Sequence, residues 1–364
     1  MWLQPPCSYT PSRKGCSVSE KGGRAQVEVV VPVYNGLRTL PACVDAVLGQ
    51  TSPPERVWLV DNGSTDGTYE WLVGRARGEP RLRVLRETRR GQAAARNAAL
   101  QFVEAPVVAF TDADCVPEPT WLERLLEGYR DATVGAVAGA VTGYGPRNVI
   151  ERYLSVAAFP TPQEPRVVHE YAFPTVAFYT ANLSVRTDVL RRLQGFDEAM
   201  PPADDLDICC RILRAGWQIV YTPTARVGHI HRSRAWAMLK RFYQYGSSRP
   251  KMLRKHCTGL LYALVGRRQF LWRGGPTGCV NLTSPEKVCL GLAGLSLWSP
   301  WFLLALVGYG IRLGKRIGKA ARARGLEPRS AWETAVWAAL QVSEFAAVNT
   351  GSFVASIRQR VICF

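Results

Sequence analysis

The stretch Pro106-Val107-Val108-Ala109-Phe110-Thr111-Asp112-Ala113-Asp114 decides how the chain is read. Its apolar run has the length and composition of a buried strand, and it ends on two carboxylates separated by one residue. Ionised carboxylates are costly to desolvate unless they are paired or bound to a cation. Mg²⁺ and Mn²⁺ sites commonly combine one or two carboxylates with the phosphate oxygens of a substrate. In an open α/β sheet the ligand crevice lies outside the C-terminal ends of the strands, which is where Asp112 and Asp114 fall. A short acidic loop alone is weak evidence, so the flanking elements carry the argument.

Working outward, strand and helix patterns alternate. Strands are expected at Val27–Val33, Arg56–Val60, Leu82–Leu85 and Pro106–Phe110, with helices at Leu37–Gln50, Tyr69–Arg77 and Gln92–Phe102 between them. That alternation predicts parallel βαβ units, hence an α/β fold with a doubly wound, mostly parallel sheet. Residues 117–231 are less regular, with a helix at Thr120–Tyr129 and a strand at Val134–Val141. A basic helix is expected at Ala235–Gly246 and a long Ala- and Val-rich helix at Trp332–Ile357.

Composition bounds the class. In 364 residues, 47% are hydrophobic and 11 are Trp, which supports a sizeable core and argues against disorder. The 10 cysteines form no Cys-x-x-Cys pair, so neither a zinc pattern nor a disulfide framework is indicated and a reducing compartment is expected. Residues 1–25 lack an apolar signal segment and are expected to be a flexible tail.

The net charge of +17 is unevenly placed: Arg232 to Gly275 carries 11 Lys/Arg and no acid, and Arg312 to Ser330 carries seven Lys/Arg and one Glu. Such blocks suit polyanions such as phosphorylated substrates or an anionic membrane surface. No nucleic-acid-binding module accompanies them, so a nucleic-acid partner is not expected. Between the blocks, Val288 to Ile311 is uncharged for 24 residues, enough to cross a bilayer. Both of its flanks are basic, which the positive-inside rule disfavours for a single span. A re-entrant or interfacial helical hairpin broken at Ser299-Pro300 keeps both flanks on one side, and a buried pair of core helices is the blander alternative.

Three strand ends carry polar loops on the ligand side: Val33-Tyr34-Asn35-Gly36, Asp61-Asn62-Gly63-Ser64-Thr65-Asp66, and Asp112-Ala113-Asp114. Asp61 at such an end suits a base NH or a ribose hydroxyl, while turn pairs and helix capping by Ser64 or Thr65 explain the rest of its loop. Arg96, one turn into the third helix, is placed to meet phosphate or to be surface charge. Further on, Asp204, Asp205 and Asp207 open a helix, as dipole partners or as the source of a general base. Arg211 is spaced to pair with Asp207. His229 and His231 share one face of a strand-like run, where a histidine is structural or an added metal ligand.

Taken in order, VVVPVYNG, VDNGSTDGT, GQAAARNAAL, VVAFTDADC and GFDE…ADDLDICCRILRAGW resemble the family 2 glycosyltransferases of the GT-A fold, over residues 27 to about 231. The resemblance implies that Pro32, Tyr34, Asp61 and Arg96 bind the nucleotide. Asp112 would contact ribose or metal, and Asp114 would hold Mg²⁺ or Mn²⁺ on the donor diphosphate with His229 as a further ligand. Asp205 matches the catalytic base, and Asp204 stands where the family has Glu. The implied activity is inverting transfer from a nucleotide-diphosphate sugar to a lipid-linked or glycan acceptor.

The expected organisation is a tail (1–25), a catalytic domain (26–231, donor half to about 115 and acceptor half after it), a basic helical linker (232–285) and membrane-associated helices (286–364), on the cytoplasmic face. Phe159–Thr175, with four prolines, is the expected acceptor loop. Two alternatives stand beside this reading: transfer to a polyprenyl phosphate, and a catalytically silent nucleotide-sugar-binding membrane protein.

Overall fold

In the computed structural model, which describes residues 20–21, 24–25, 27–160, 162–170, 178–265, 268–299 and 301–363, the expected alternation holds from Val27 to Phe110. Ahead of it β1 (Glu20–Lys21) and β2 (Arg24–Ala25) pair antiparallel; the rest of the expected tail lies outside the described residues. Then come β3 (Val27–Val33), α1 (Leu40–Leu48), β4 (Arg56–Asp61), α2 (Thr68–Arg77), β5 (Leu82–Arg86), α3 (Gln92–Leu100) and β6 (Val107–Phe110). After β6 follow β7 (Cys115–Pro117), α4 (Trp121–Leu126), β8 (Val134–Gly143), α5 (Val149–Ala157), β9 (Arg166–Val168), β10 (Leu183–Arg186), α6 (Thr187–Arg192), α7 (Asp204–Arg214) and β11 (Gln218–His229). The chain forms two compact units, residues 1–142 with 161–229 and residues 143–160 with 230–364. Residues 143–160, counted by sequence inside 26–231, thus pack with the second unit.

The first unit is built on a sheet of order β5-β4-β3-β6-β10-β8-β11-β7, with β9 on β11. β3 runs parallel to β4 and β6, and β4 to β5, the doubly wound arrangement expected. Beyond β6 the pairing turns antiparallel: β10 against β6 and β8, and β7 and β9 against β11. Register sets the site. Val33 lies opposite Asp61 and Asp61 opposite Arg86, so three adjacent strands end level. β6 stops opposite Val30, so Pro32, which has no N–H to donate, sits past the β6 ladder.

Val30, Val60, Val108, Phe110, Ile208 and Ile212 share one buried cluster, in which the Phe110 and Phe196 rings meet edge to face at 5.2 Å. Glu28 is the charged residue inside β3. It is fully buried but satisfied, accepting from Glu104 N (3.0 Å), Ala105 N (3.1 Å) and Trp58 Nε1.

In the second unit α5 is joined by α8 (Ala235–His256), β12 (Leu260–Val265), β13 (Arg268–Arg273), β14 (Gly278–Asn281), α9 (Pro285–Ser296), α10 (Trp301–Arg322), α11 (Ala331–Gln359) and β15 (Ile362–Cys363). The expected helical linker is therefore partly sheet, of order β13-β12-β14-β15. Its short Leu-, Val- and aromatic-rich runs, bounded by Gly259 and Gly274-Gly275-Pro276, lack helical spacing. α5 and α11 each begin with a capping motif. Asn148 accepts from Glu151 N (2.9 Å) and Ser330 from Glu333 N (3.1 Å), while Glu151 and Glu333 reach back to the amides of Arg147 and Arg329. Arg152 Nε then donates to Glu333 at 2.7 Å.

The expected end of α8 at Gly246 is corrected: the helix continues through Pro250 to His256. Proline leaves the Gly246 carbonyl, four residues earlier, without its helical donor. Ser352 Oγ of α11 lies 3.0 Å from that carbonyl and 2.9 Å from the carbonyl of Val348, and shares its one proton between them. Glycine makes the approach feasible, because a Cβ at 246 would lie 1.9 Å from the Val348 carbonyl and one at 351 would lie 2.1 Å from that of Tyr243.

Candidate functional site: the acid cluster at the strand ends

The first two ligand-side loops are stitched together. Asn35, at φ 49°, accepts from Thr65 N (2.8 Å) through Oδ1 and donates its amide to Ser64 Oγ (2.9 Å). The Gly36 amide donates to Thr68 Oγ1 (3.1 Å) and the Leu37 amide to Asp66 Oδ2 (3.3 Å). The expectation that Ser64 or Thr65 caps α2 is corrected. Gly67 holds the cap position at φ 85°, and Asp66 Oδ1 accepts from Thr68 N at 3.1 Å.

Asp61, buried at the end of β4, accepts from Gly63 N (3.3 Å) and Ser64 N (3.2 Å), with Arg86 Nε 3.6 Å from Oδ2. Pro32 is buried in β3, whereas Tyr34 is 50% exposed. Arg90 Nη1 donates to Tyr34 OH at 3.1 Å, and its guanidinium lies 5.2 Å from the ring centre. Arg86 and Arg90 escaped the sequence reading. Their signal was the basic run Arg86-Glu87-Thr88-Arg89-Arg90 following a ligand-side strand end.

Arg96 departs most from expectation. Its side chain is 1% exposed, with Nη2 donating to Asp112 Oδ1 at 3.0 Å and Nη1 to Asp204 Oδ2 at 2.6 Å. The Phe196 ring lies 5.5 Å from its guanidinium carbon. Instead of projecting toward solvent phosphate, Arg96 ties the β6 strand end to the N-terminus of α7. Burial pushes the Asp112 carboxyl upward, against the pull of Arg96.

Asp205, beside Asp204, accepts from Leu206 N at 2.7 Å. Burial, reinforced by the Asp204 charge, pushes its carboxyl up to about 7. A carboxylate so tuned is suited to take a proton near neutrality. Asp207 does not join the cluster. It is buried and paired with Arg211 Nε at 2.8 Å, as the helical spacing predicted, and Arg211 also donates to the Leu193 (2.7 Å) and Gly195 (2.7 Å) carbonyls.

The antiparallel ladder sets His229 opposite Cys115, which brings His229 Nε2 to 3.5 Å from Asp114 Oδ1. Asp114 is 45% exposed at its side chain. Donor atoms of Asp114, Cys115 and His229 lie within 4.8 Å of one another. Carboxylate and imidazole are ligands that Mn²⁺ and, less readily, Mg²⁺ accept, so Asp114 and His229 fit a divalent cation with substrate oxygens completing the shell. Cys115 fits poorly: burial, then the Asp114 and Asp112 charges, raise its thiol well above the usual range. His231 lies beyond the end of β11, its ring stacked on Phe159 at 6.0 Å. Part of the expected acceptor loop, residues 161 and 171–175, lies outside the described residues.

Comparison with known proteins matches residues 28–193 to the family described as Glycosyl transferase family 2. The chain is 34% identical over 237 residues to the pre-mycofactocin glycosyltransferase of Mycobacterium tuberculosis, covering 63% of this chain and 48% of that protein. It is 32% identical over 200 residues to the glycosyltransferase AglE of Haloferax volcanii, covering 54% of this chain and 64% of that protein. The chain thus spans less than two thirds of either relative. The solved mannosyltransferase PcManGT from Pyrobaculum calidifontis, in complex with GDP-Man and Mn²⁺, superposes with a TM-score of 0.55 at 22% identity, over 91% of this chain and 88% of that one. The ordered motifs lie along an α/β sheet of this topology, and residues 28–193 of the chain are similar to the family 2 glycosyltransferases.

Proposed function

We propose that the protein transfers a sugar, with inversion, from a nucleotide-diphosphate donor to a hydroxyl of a lipid-linked or glycan acceptor presented at the cytoplasmic face of a membrane. The observation that carries this reading is Arg96, whose single guanidinium holds both the strand end bearing the metal-ligand candidates and the helix end bearing the base candidate. The nucleoside would lie along Pro32, Tyr34 and Asp61, with Asp61 offering a carboxylate to a base NH or ribose hydroxyl. Asp114 and His229, with Asp112 adjacent, would hold Mg²⁺ or Mn²⁺. When bound, the cation supplies charge neutralisation to the departing diphosphate.

Asp205 would accept the acceptor hydroxyl's proton as that oxygen bonds to the anomeric carbon. The bond from that carbon to the diphosphate oxygen breaks, and the leaving group takes the electron pair. One attack from the face opposite the leaving group inverts the centre, and a retaining double displacement would need a further nucleophile. Arg96, buried between Asp112 and Asp204, would keep the strand end and the helix end aligned.

A screen of nucleotide sugars for thermal stabilisation, with and without Mn²⁺, tests the reading, since a ligand that binds only the native state raises its stability. A single donor should stabilise, and only with the metal. Stabilisation by no nucleotide sugar, or one unchanged by Asp114→Ala, would overturn it.

A further inference from the structure

Within the second unit, α10 lives in two environments. From Arg312 onward it is anchored: Leu313, Gly314, Ile317, Gly318 and Ala321 are buried, Leu313 and Ile317 in a core with Trp337, while Arg312, Lys315, Arg316 and Lys319 are exposed. From Trp301 to Ile311 the same helix is apolar yet largely exposed, with Trp301 at 74%, Leu304 at 62% and Val307 at 60% exposure. α9 packs against α10, and the break between them exposes Leu297 at 93% and Trp298 at 91%. Water is a poor solvent for such a tip, and contiguous apolar patches of this kind mark interaction surfaces.

We propose that the α9–α10 hairpin is a monotopic anchor that inserts into one leaflet of an anionic bilayer. Two observations select a bilayer over a second protein. The basic residues begin where the apolar ones stop, which places charge at headgroup level once the apolar part is immersed. Length agrees as well. Val288–Ser296 and Trp301–Ile311 rise about 13 and about 16 Å at ~1.5 Å per residue, close to half of a hydrocarbon core of ~30 Å. No helix among the described residues is long and apolar enough to cross a membrane. The anchor refines the membrane-presented acceptor reading above, but it is measured without donor, acceptor or turnover.

The test is flotation of the full chain with phosphatidylcholine vesicles, with and without 40% phosphatidylglycerol. The wild type should float with the anionic vesicles at low salt and dissociate partly at high salt. Trp298→Asp with Leu304→Asp, at exposed positions, should reduce the bound fraction at least tenfold without altering the melting temperature. Lys315→Glu with Arg316→Glu should abolish the preference for anionic lipid. Brominated lipid should quench wild-type fluorescence more than that of Trp298→Phe with Trp301→Phe.

Absence of flotation, flotation indifferent to the Asp variant, or lipid-free self-association that the Asp variant abolishes would each overturn the anchor. Donor-induced stabilisation is read separately on the Asp variant, so loss of the anchor and loss of the transferase reading are told apart.

Discussion

Arg96 Nη1 meets Asp204 Oδ2 at 2.6 Å, across 108 residues of sequence, with both side chains at most 5% exposed. Through its other terminal nitrogen the same guanidinium holds Asp112. A planar fork matches this task, because two acids can be held at a fixed angle by one rigid cation.

Removing that cation leaves two largely buried carboxylates unpaired. Arg96→Gln should lower unfolding free energy by about 3–5 kcal/mol, the scale for breaking a buried pair from one side. Urea denaturation measures it. Arg96→Lys should recover part of the stability but less of the turnover, since an ammonium cannot reproduce the fork. Equal recovery of both would assign Arg96 a purely structural role.

Asp205 sets a pH dependence. With its carboxyl pushed up to about 7, a base at this position loses activity as pH falls through about 7. Stability runs the other way. The folded value lies above the unfolded one, so the unfolded chain releases this proton first and stability falls as pH rises from about 4 to about 7. Asp205→Asn should abolish turnover and flatten that slope, leaving the variant more stable than wild type above pH 7. A pH–rate profile and melting curves across pH 4–9 read both effects.

Metal selectivity separates the three grouped donors. Asp114→Ala should remove the Mn²⁺ dependence of donor-induced stabilisation, and His229→Ala should weaken Mn²⁺ binding by about tenfold or more. Cys115→Ser should leave it unchanged, because a thiol held neutral by burial offers little to a hard cation. Titration of each variant with Mn²⁺ decides the matter, and loss of binding in Cys115→Ser would place the thiol among the ligands.

The α8–α11 crossing offers a double-mutant cycle. Ser352→Ala strands the Gly246 carbonyl, at a cost of about 1–3 kcal/mol for an unsatisfied buried group. Pro250→Ala restores the helical N–H that this carbonyl lacks. The pair together should therefore be less destabilised than Ser352→Ala alone. Thermal unfolding of the four proteins tests it; strict additivity would show that Ser352 acts elsewhere.

Local pattern was enough for the part of the fold from Val27 to Phe110. Continuous apolar runs at Val27–Val33 and Val107–Phe110, with helical spacing between, specify parallel strands because each element's periodicity is written in adjacent residues. Asp112 and Asp114 were legible for the same reason: they end a strand. Less was visible where partners lie far apart in sequence. The strands of 260–281 pair with one another and with β15, and the continuation of α8 past Pro250 depends on packing against α11 and on its Ser352 hydroxyl.

Sequence by itself therefore determined the resemblance to a known family, the order of the elements from Val27 to Phe110 and which acids stand at strand and helix ends, all properties of neighbouring residues. Tertiary structure alone decided that Arg96 serves two carboxylates instead of solvent, that His229 reaches Asp114 through a β-ladder, and that α10 is buried on one half and largely exposed on the other. Desolvation and pairing of charge act through space, and their partners here are 16 to 115 positions apart along the chain.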